Sequence, residues 1–554
     1  MGTASTEASV AVHLDSPSRP RWPDGLGRAR STYIRRRPES TVLHQVIHEH
    51  LETFLAETRL RGGDEGLPRF VERELREFLT CGVLAEGFAR FRCTDCQGEI
   101  LVAFSCKGRG FCPPCCGRRM AELAAHLVDG VLGGLPVRQW VLTLPYRLRY
   151  ALAWDHHLCR AVLGVFIRAV LGFERRSAER REIRDGTGGA VTAIQRFGSA
   201  LNVNVHFHTL VAQGVFIEDA RGGRRFVPAP APTDGEVAHL LAAVRRRIVR
   251  LVARHGIDLE DPSSEAQAAD QRQFDWPAYA EIQGAAVAGR VATGPRAGGP
   301  VQRIGRNRYA ADIDSTGPLH AHLDGFDLHA AVAVPAGDRV RLEHLCRYVL
   351  RPPIAQERLE RAPDGAVVLR LRRPWTDGTR AIRFEPSEFL EKLAGDGPQA
   401  AHQSARLPWS LCAPRAWPEG GRAAGVRRCC AWRRAVSHWR SGQRPGQHGA
   451  DGGVRGRGRR WRPATPRPPP PPAGYVRPKY FTWASLLERT FAIDVLACPE
   501  CGGRLRLITT ITDPSVIDKI LTHLGLPTES PTPMPERVAG WLPGVEPAAD
   551  WITE

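Results

Sequence analysis

The stretch Leu201-Asn-Val-Asn-Val-His-Phe-His-Thr-Leu-Val211 decides how the rest of the chain is read. It alternates: Leu201, Val203, Val205 and Phe207 fall on one side, and Asn202, Asn204, His206 and His208 on the other. A period of two with one apolar side is a β-strand that buries one face. His206 and His208 then project side by side, about 7 Å apart along the strand. That is close enough to share one divalent ion, which could polarise a phosphate. A hydrogen-bonded surface pair is the other reading of the same spacing.

Downstream, Leu342, Leu345 and Val349 recur at helical spacing before Arg351-Pro352-Pro353, which must end or bend that helix. Tyr348 lies beside the stripe, on the side shared by Arg341, His344 and Arg351. A tyrosine flanked by Arg347 and Arg351 at a helix end is a candidate nucleophile for a phosphodiester, with the two arginines as DNA contacts. Taken alone it also fits an amphipathic core residue. Asp327-Leu-His-Ala-Ala-Val332 alternates like a strand, which makes His329 a candidate third metal ligand or a hydrogen-bonded strand histidine. Gln195 and Asn204 are weaker options for that ligand.

Upstream lies a cysteine-rich section. Cys93-x-x-Cys96 is followed by fifteen residues and then Cys112-x-x-Cys115. Two such knuckles complete one closed tetrahedral zinc site, so the metal is expected to be structural. Cys106 and Cys116 could each replace a neighbour. Lys107, Arg109, Arg118 and Arg119 surround the knuckles and are candidate phosphate contacts. Cys498 and Cys501 look like half of another knuckle, but no second pair follows, and zinc is not expected there. Helical periodicity runs from Thr41 to Leu79, from Met120 to Leu132 and from Phe481 to Phe491, with a mixed α/β section from Val137 to about Leu393.

The charge is +18 with a pI near 9.8, which favours a polyanionic partner. Much of it sits in one segment, 395–474, where fifteen arginines face three acidic residues and carry +12 of the total. Gly, Pro and Trp dominate there, with a polyproline run at Pro468 to Pro472. The segment reads as a disordered basic linker or as the product of compensating frameshifts. In another frame, Pro398 to Trp409 can encode Pro-Lys-Pro-Arg-Ile-Asn-Leu-Leu-Val-Tyr-His-Gly, which is strand-like. No stretch approaches the roughly twenty apolar residues of a membrane span, and no secretory signal opens the chain. Clustered Cys-x-x-Cys pairs suit a reducing compartment, so a cytoplasmic, nucleoid-associated location is expected, without a membrane partner.

Together these residues resemble the rolling-circle insertion-sequence transposases, the insertion sequence ninety-one family. The resemblance rests on Ser105-Cys-Lys-Gly-Arg-Gly-Phe-Cys-Pro-Pro-Cys115, Trp140-Val-Leu-Thr-Leu-Pro145, Val205-His-Phe-His-Thr-Leu-Val211 and Cys346-Arg-Tyr-Val-Leu-Arg-Pro-Pro353. It covers about residues 41 to 394 and resumes near 475. The fold class expected is α+β: a small zinc-ribbon-like module, then a nuclease domain with a central antiparallel sheet covered by helices. The expected divisions are a flexible tail over 1–40, a zinc-binding DNA-binding domain over 41–125, and the nuclease over 130–394. The basic segment over 395–474 and a C-terminal segment over 475–554 follow.

The resemblance implies that Tyr348 attacks single-stranded DNA at the ends of the mobile element, leaving a 5′-phosphotyrosine bond. It also implies that His206 and His208 hold Mg²⁺ or Mn²⁺. Some relatives carry a second tyrosine four residues earlier; here that position is His344, so a one-tyrosine scheme fits better. No P-loop is present, so unwinding falls to a host helicase or to the replication machinery. The competing readings are a plasmid relaxase or replication initiator, and a catalytically decayed zinc-dependent DNA-binding protein.

Overall fold

The computed structural model describes residues 31–32, 34–62, 66–219, 223–259, 276–307, 317–395 and 482–536. The tail up to residue 30, nearly all of the basic segment 395–474, and its proposed frame-shifted stretch lie outside the described residues.

The histidine stretch is a strand, Val203–Ala212, and it is internal to an antiparallel sheet. On one side it pairs with Ala190–Phe197, the strand before it. On the other it pairs with Val137–Thr143, which continues to Phe326–His329 and His320–Leu323. The strand begins two residues later than the alternation suggests. Leu201 adopts a left-handed conformation (φ 59°) in the turn that Gly198 closes, its N–H donating to the Gly198 carbonyl at 3.3 Å. Only 2 % exposed, the Leu201 side chain offsets that backbone cost by packing in the core.

The apolar face of the sheet, with Trp140, Leu142, Val205 and Phe207, buries against the helices His156–Glu179 and Asp234–Ala253. Both helices start on matching side chains. Asp155 accepts from the amides of His157 and Leu158, and Thr233 with Glu236 forms a reciprocal capping box. By length and composition His156–Glu179 is apolar enough to cross a membrane, contrary to the expectation that no stretch comes near this; half of it is buried inside the protein. Its apolar side is continuous because it packs on a sheet face and on a neighbouring helix at once.

The opposite face of the sheet carries His206 and His208, and over it lies the helix Arg339–Val349 that bears Tyr348. Leu342, Leu345, Cys346 and Val349 pack there against Val137, Val191, Ala193 and Leu210. Asp338 caps the helix by accepting from the Arg341 amide at 3.0 Å. The expected antiparallel sheet with a covering tyrosine helix is therefore the architecture observed.

The N-terminal helices Val42–Gly62 and Arg69–Leu79 share a core with the second sheet, whose order is Leu359–Arg361, Val367–Arg370, Ala381–Phe384 and Gln302–Ile304. Helix Pro386–Gly395 closes that core. A three-stranded sheet joins Phe88–Cys93 to Glu99–Ala103 and, across the chain, to Leu505–Ile511. The helix expected from Phe481 forms as Trp483–Phe491, capped by Thr482. The helix expected over Met120 to Leu132 is Pro113–His126, extended by a wider π-turn at Leu127–Val131.

Candidate active site and metal centres

His206 and His208 project from one face of their strand with ring centroids 4.9 Å apart. The Tyr348 ring stands edge-on to His208 at 5.9 Å. Arg351 lies over the tyrosine ring at 4.3 Å and reaches Phe197 at 5.7 Å. Residues 140 positions apart thus converge because the apolar stripe of the tyrosine helix seats on the histidine face of the sheet. Both histidines are buried, while Tyr348 is 46 % exposed and open to a large substrate.

The ring nitrogens are arranged for ligation. His206 Nδ1 donates to the Asn204 carbonyl at 2.7 Å, which leaves Nε2 with its lone pair. His208 Nδ1 meets the Gln139 side-chain amide at 2.7 Å, and His208 Nε2 is buried without a hydrogen-bond partner. Burial pushes His206 down to about 4, with Arg351 and Arg149 adding to it against the Asn204 carbonyl. Burial, then His206 and Arg351, pushes His208 down to about 2. Both rings are therefore neutral at physiological pH, the form that binds metal.

Gln195 stands opposite His206 on the paired strand. Its Nε2 donates to the Val349 carbonyl at 2.7 Å, tying the sheet to the tyrosine helix, and its Oε1 is buried without a partner. His329 is placed otherwise. It is separated from His208 by Val141 on the intervening strand and faces His320, ring centroids 5.8 Å apart. Among the described residues, the sets of three or more candidate ligand atoms within 4.8 Å of one another are both cysteine sets, and His329 joins neither histidine in one.

A basic rim surrounds the tyrosine. Burial, with Arg372 and Arg351 nearby, lowers Arg358 to about 10. Burial followed by Arg351 also lowers Arg372, on which Tyr348 acts in the opposite sense. Sequence reading missed Gln139, Arg358 and Arg372, because only the strand register and the second sheet bring them here. Of the two flanking arginines, Arg351 keeps the tyrosine. Arg347 binds Glu343 and donates to the carbonyls of Thr490 (3.3 Å) and Arg489 (3.2 Å).

The cysteines form two groups rather than the single one expected from Cys93, Cys96, Cys112 and Cys115. Cys112 and Cys115 join Cys81 and Cys106, with sulfur–sulfur distances of 3.5 Å (Cys81–Cys112), 3.6 Å (Cys106–Cys115) and 3.8 Å (Cys81–Cys115). Cys93 and Cys96 join Cys498 and Cys501. Cys116 stays outside, its thiol on the Gly110 carbonyl. The expectation failed because knuckles were paired by nearness in sequence. In the first group the other three thiols donate to Cys81 and hold it far below the usual thiol range; the hydrogen bonds of Cys106 and Cys112 bring Cys115 to about 7. Arg119 donates to the carbonyls of Gly108 (3.1 Å) and Lys107 (2.8 Å), so it braces the knuckle loop that carries Lys107 and Arg109. Arg118 is exposed on the following helix.

Two family comparisons identify the class to which this cysteine-rich helical module and the sheet domain after it belong. Residues 46–144 match the family described as "Transposase zinc-binding domain", and residues 189–407 match the one described as "Putative transposase". The chain belongs to the IS91-type transposases, acts on DNA, and carries structural zinc. No match was found among curated proteins or among solved structures.

Proposed function

We propose that this transposase cleaves and rejoins single-stranded DNA through Tyr348, in a rolling-circle type of transposition. One observation carries the reading: the half-exposed Tyr348 ring stands against His208, with Arg351 stacked over it. Arg351, Arg358 and Arg372 draw in the scissile phosphate and neutralise its charge. The Tyr348 oxygen forms a bond to phosphorus while the P–O3′ bond breaks. The tyrosine proton is released and the departing 3′ oxygen takes one up, leaving a 5′-phosphotyrosine and a free 3′-hydroxyl. Attack by a 3′-hydroxyl on that linkage reverses the step and rejoins the strands.

The residues fit a divalent cation, since two neutral imidazoles offer unpartnered or free Nε2 atoms and Gln195 offers an unpartnered oxygen. His206, His208 and Gln195, rather than His329, would hold Mg²⁺ or Mn²⁺. Such an ion, when bound, polarises the phosphate and stabilises developing charge. Gln139 orients His208 from behind. Strand separation falls to a host helicase or the replication machinery, and the substrate is the single-stranded end of the element.

The test incubates the full chain with labelled single-stranded DNA from the element's ends and Mn²⁺ or Mg²⁺. A covalent protein–DNA band that survives denaturation, needs the cation and vanishes in Tyr348→Phe is expected. Strand cleavage that persists unchanged in Tyr348→Phe, or DNA binding without any cleavage, overturns the reading, the latter in favour of a decayed DNA-binding protein.

A further inference from the structure

The second cysteine group joins sites about four hundred residues apart in sequence. Cys93 and Cys96 end the strand Phe88–Cys93 and its turn, and Cys498 and Cys501 open the turn before Leu505–Ile511. The Cys93–Cys501 sulfurs are 3.5 Å apart and the Cys96–Cys498 sulfurs 3.7 Å. These are far from a covalent S–S bond, about 2.05 Å, and near the edge of a tetrahedron with zinc–sulfur bonds of about 2.3 Å, which is about 3.8 Å.

The two halves repeat one conformation. Cys93-Thr-Asp-Cys96-Gln97-Gly98 and Cys498-Pro-Glu-Cys501-Gly502-Gly503 each place the fifth residue in the left-handed region, Gln97 at φ 63° and Gly502 at φ 74°. In each, the glycine at the sixth position closes the turn through its carbonyl, to Cys93 N–H (2.8 Å) and to Cys498 N–H (2.7 Å). Each glycine amide also donates to the second sulfur of its pair, Gly98 to Cys96 and Gly503 to Cys501, both at 3.4 Å. Amide donors aimed at sulfur stabilise thiolate, the form a metal needs. The halves are then stitched by Thr94 N–H to the Arg504 carbonyl (2.9 Å) and by the antiparallel pairing of the two strands.

We propose that Cys93, Cys96, Cys498 and Cys501 bind a second zinc ion, which clasps the C-terminal segment to the N-terminal module and so braces the tyrosine helix. The brace follows from the helix Trp483–Phe491 just ahead of the clasp. Arg489 binds Glu343 of the tyrosine helix at 2.8 Å and Asp129 at 2.7 Å, and Arg347 returns bonds to the carbonyls of Arg489 and Thr490. Asp129 also binds Arg339 at the start of the tyrosine helix. The chain thus needs its far end to fix the helix that carries Tyr348. This role rests on the family reading for its catalytic consequence alone, whereas the metal site stands on its own geometry.

The test counts zinc in the purified full chain by elemental analysis. Two zinc ions per chain are expected, one per chain in Cys498→Ser/Cys501→Ser, and two again in Cys501→His, which restores a ligand. One per chain in the wild type, or an unchanged count in the double serine variant, overturns the site. A specific protease site placed between residues 396 and 481 then tests the clasp. After cutting, the C-terminal piece should stay bound through gel filtration and separate when zinc is stripped; retention without zinc overturns the clasp while leaving the nuclease reading untouched. Hydrogen exchange across 339–349 should rise roughly tenfold in the double serine variant, and unchanged exchange overturns the brace.

Discussion

At the scale of single residues, the site depends on two histidines that stay neutral. Their folded pKa values, about 4 and about 2, lie below the ordinary histidine value of 6.5. The sign follows: the contribution is complete above pH 6.5 and is lost as pH falls, because the unfolded chain takes up protons that the fold refuses. The thermal midpoint should therefore decline between pH 6.5 and 4, less steeply in His208→Gln, a comparison calorimetry can make. A midpoint equally pH-dependent in the variant would count against burial of a neutral ring. Gln139 supports His208 from the adjacent strand, so Gln139→Leu should weaken Mn²⁺ binding about 10- to 100-fold, measured by titration calorimetry, with little change in fold. The strand that carries both histidines and the helix that carries Tyr348 were legible in the sequence because period-two and helical spacing are local signals. Gln139, Arg358 and Arg372 were not, since their place depends on strand register and on the packing of a second sheet. His329 shows the opposite error: its alternation was read correctly, yet the strand that carries it sits one strand too far from His208.

At the scale of elements, the tyrosine helix is short and is held by one apolar stripe, one cap and the Arg489 brace. Leu345 is buried against the sheet face that carries the histidines. Leu345→Ala should cost about 2–5 kcal/mol by leaving a cavity, and the loss should appear in denaturant unfolding as a lower midpoint. If Tyr348 is the nucleophile proposed, Arg489→Ala should leave strand cleavage weaker while Mn²⁺ binding at His206 and His208 is kept, because it loosens the tyrosine helix and not the histidine strand. Normal cleavage in that variant would show the brace to be idle. The helices of the N-terminal module were legible as periodicity. Their union with the strands of 359–384 in one core was not, because nothing local in either segment names the other. The same holds for the membrane-length helix His156–Glu179, whose apolar run reflects contact with both a sheet and a helix.

At the scale of the whole molecule, charge and metal organise the protein. Cys112 and Cys115 lie within the same core as Phe54, Phe78 and Phe111. Stripping zinc should therefore lower the thermal midpoint of the N-terminal half, not merely release a loop; near-ultraviolet circular dichroism with a strong chelator checks this. Binding to single-stranded DNA should weaken with salt along a straight line on logarithmic axes, with a slope near −0.7 per phosphate contacted. The two cysteine groups were half legible. Each Cys-x-x-Cys announced a knuckle, but a glycine stands two residues after all three pairs, at Gly98, Gly117 and Gly503, so nothing local told which knuckles are mates. Nearness in the chain misled the pairing because sheet formation, and not sequence distance, brings these turns together.

The Tyr348 phenolic oxygen is the atom proposed to take the DNA strand. The most direct measurement is mass spectrometry of the covalent protein–DNA product after digestion with nuclease and protease. The account predicts a nucleotide linked through phosphate to the peptide that contains Tyr348. A linkage to any other residue, or cleaved DNA with no linked peptide, would contradict it.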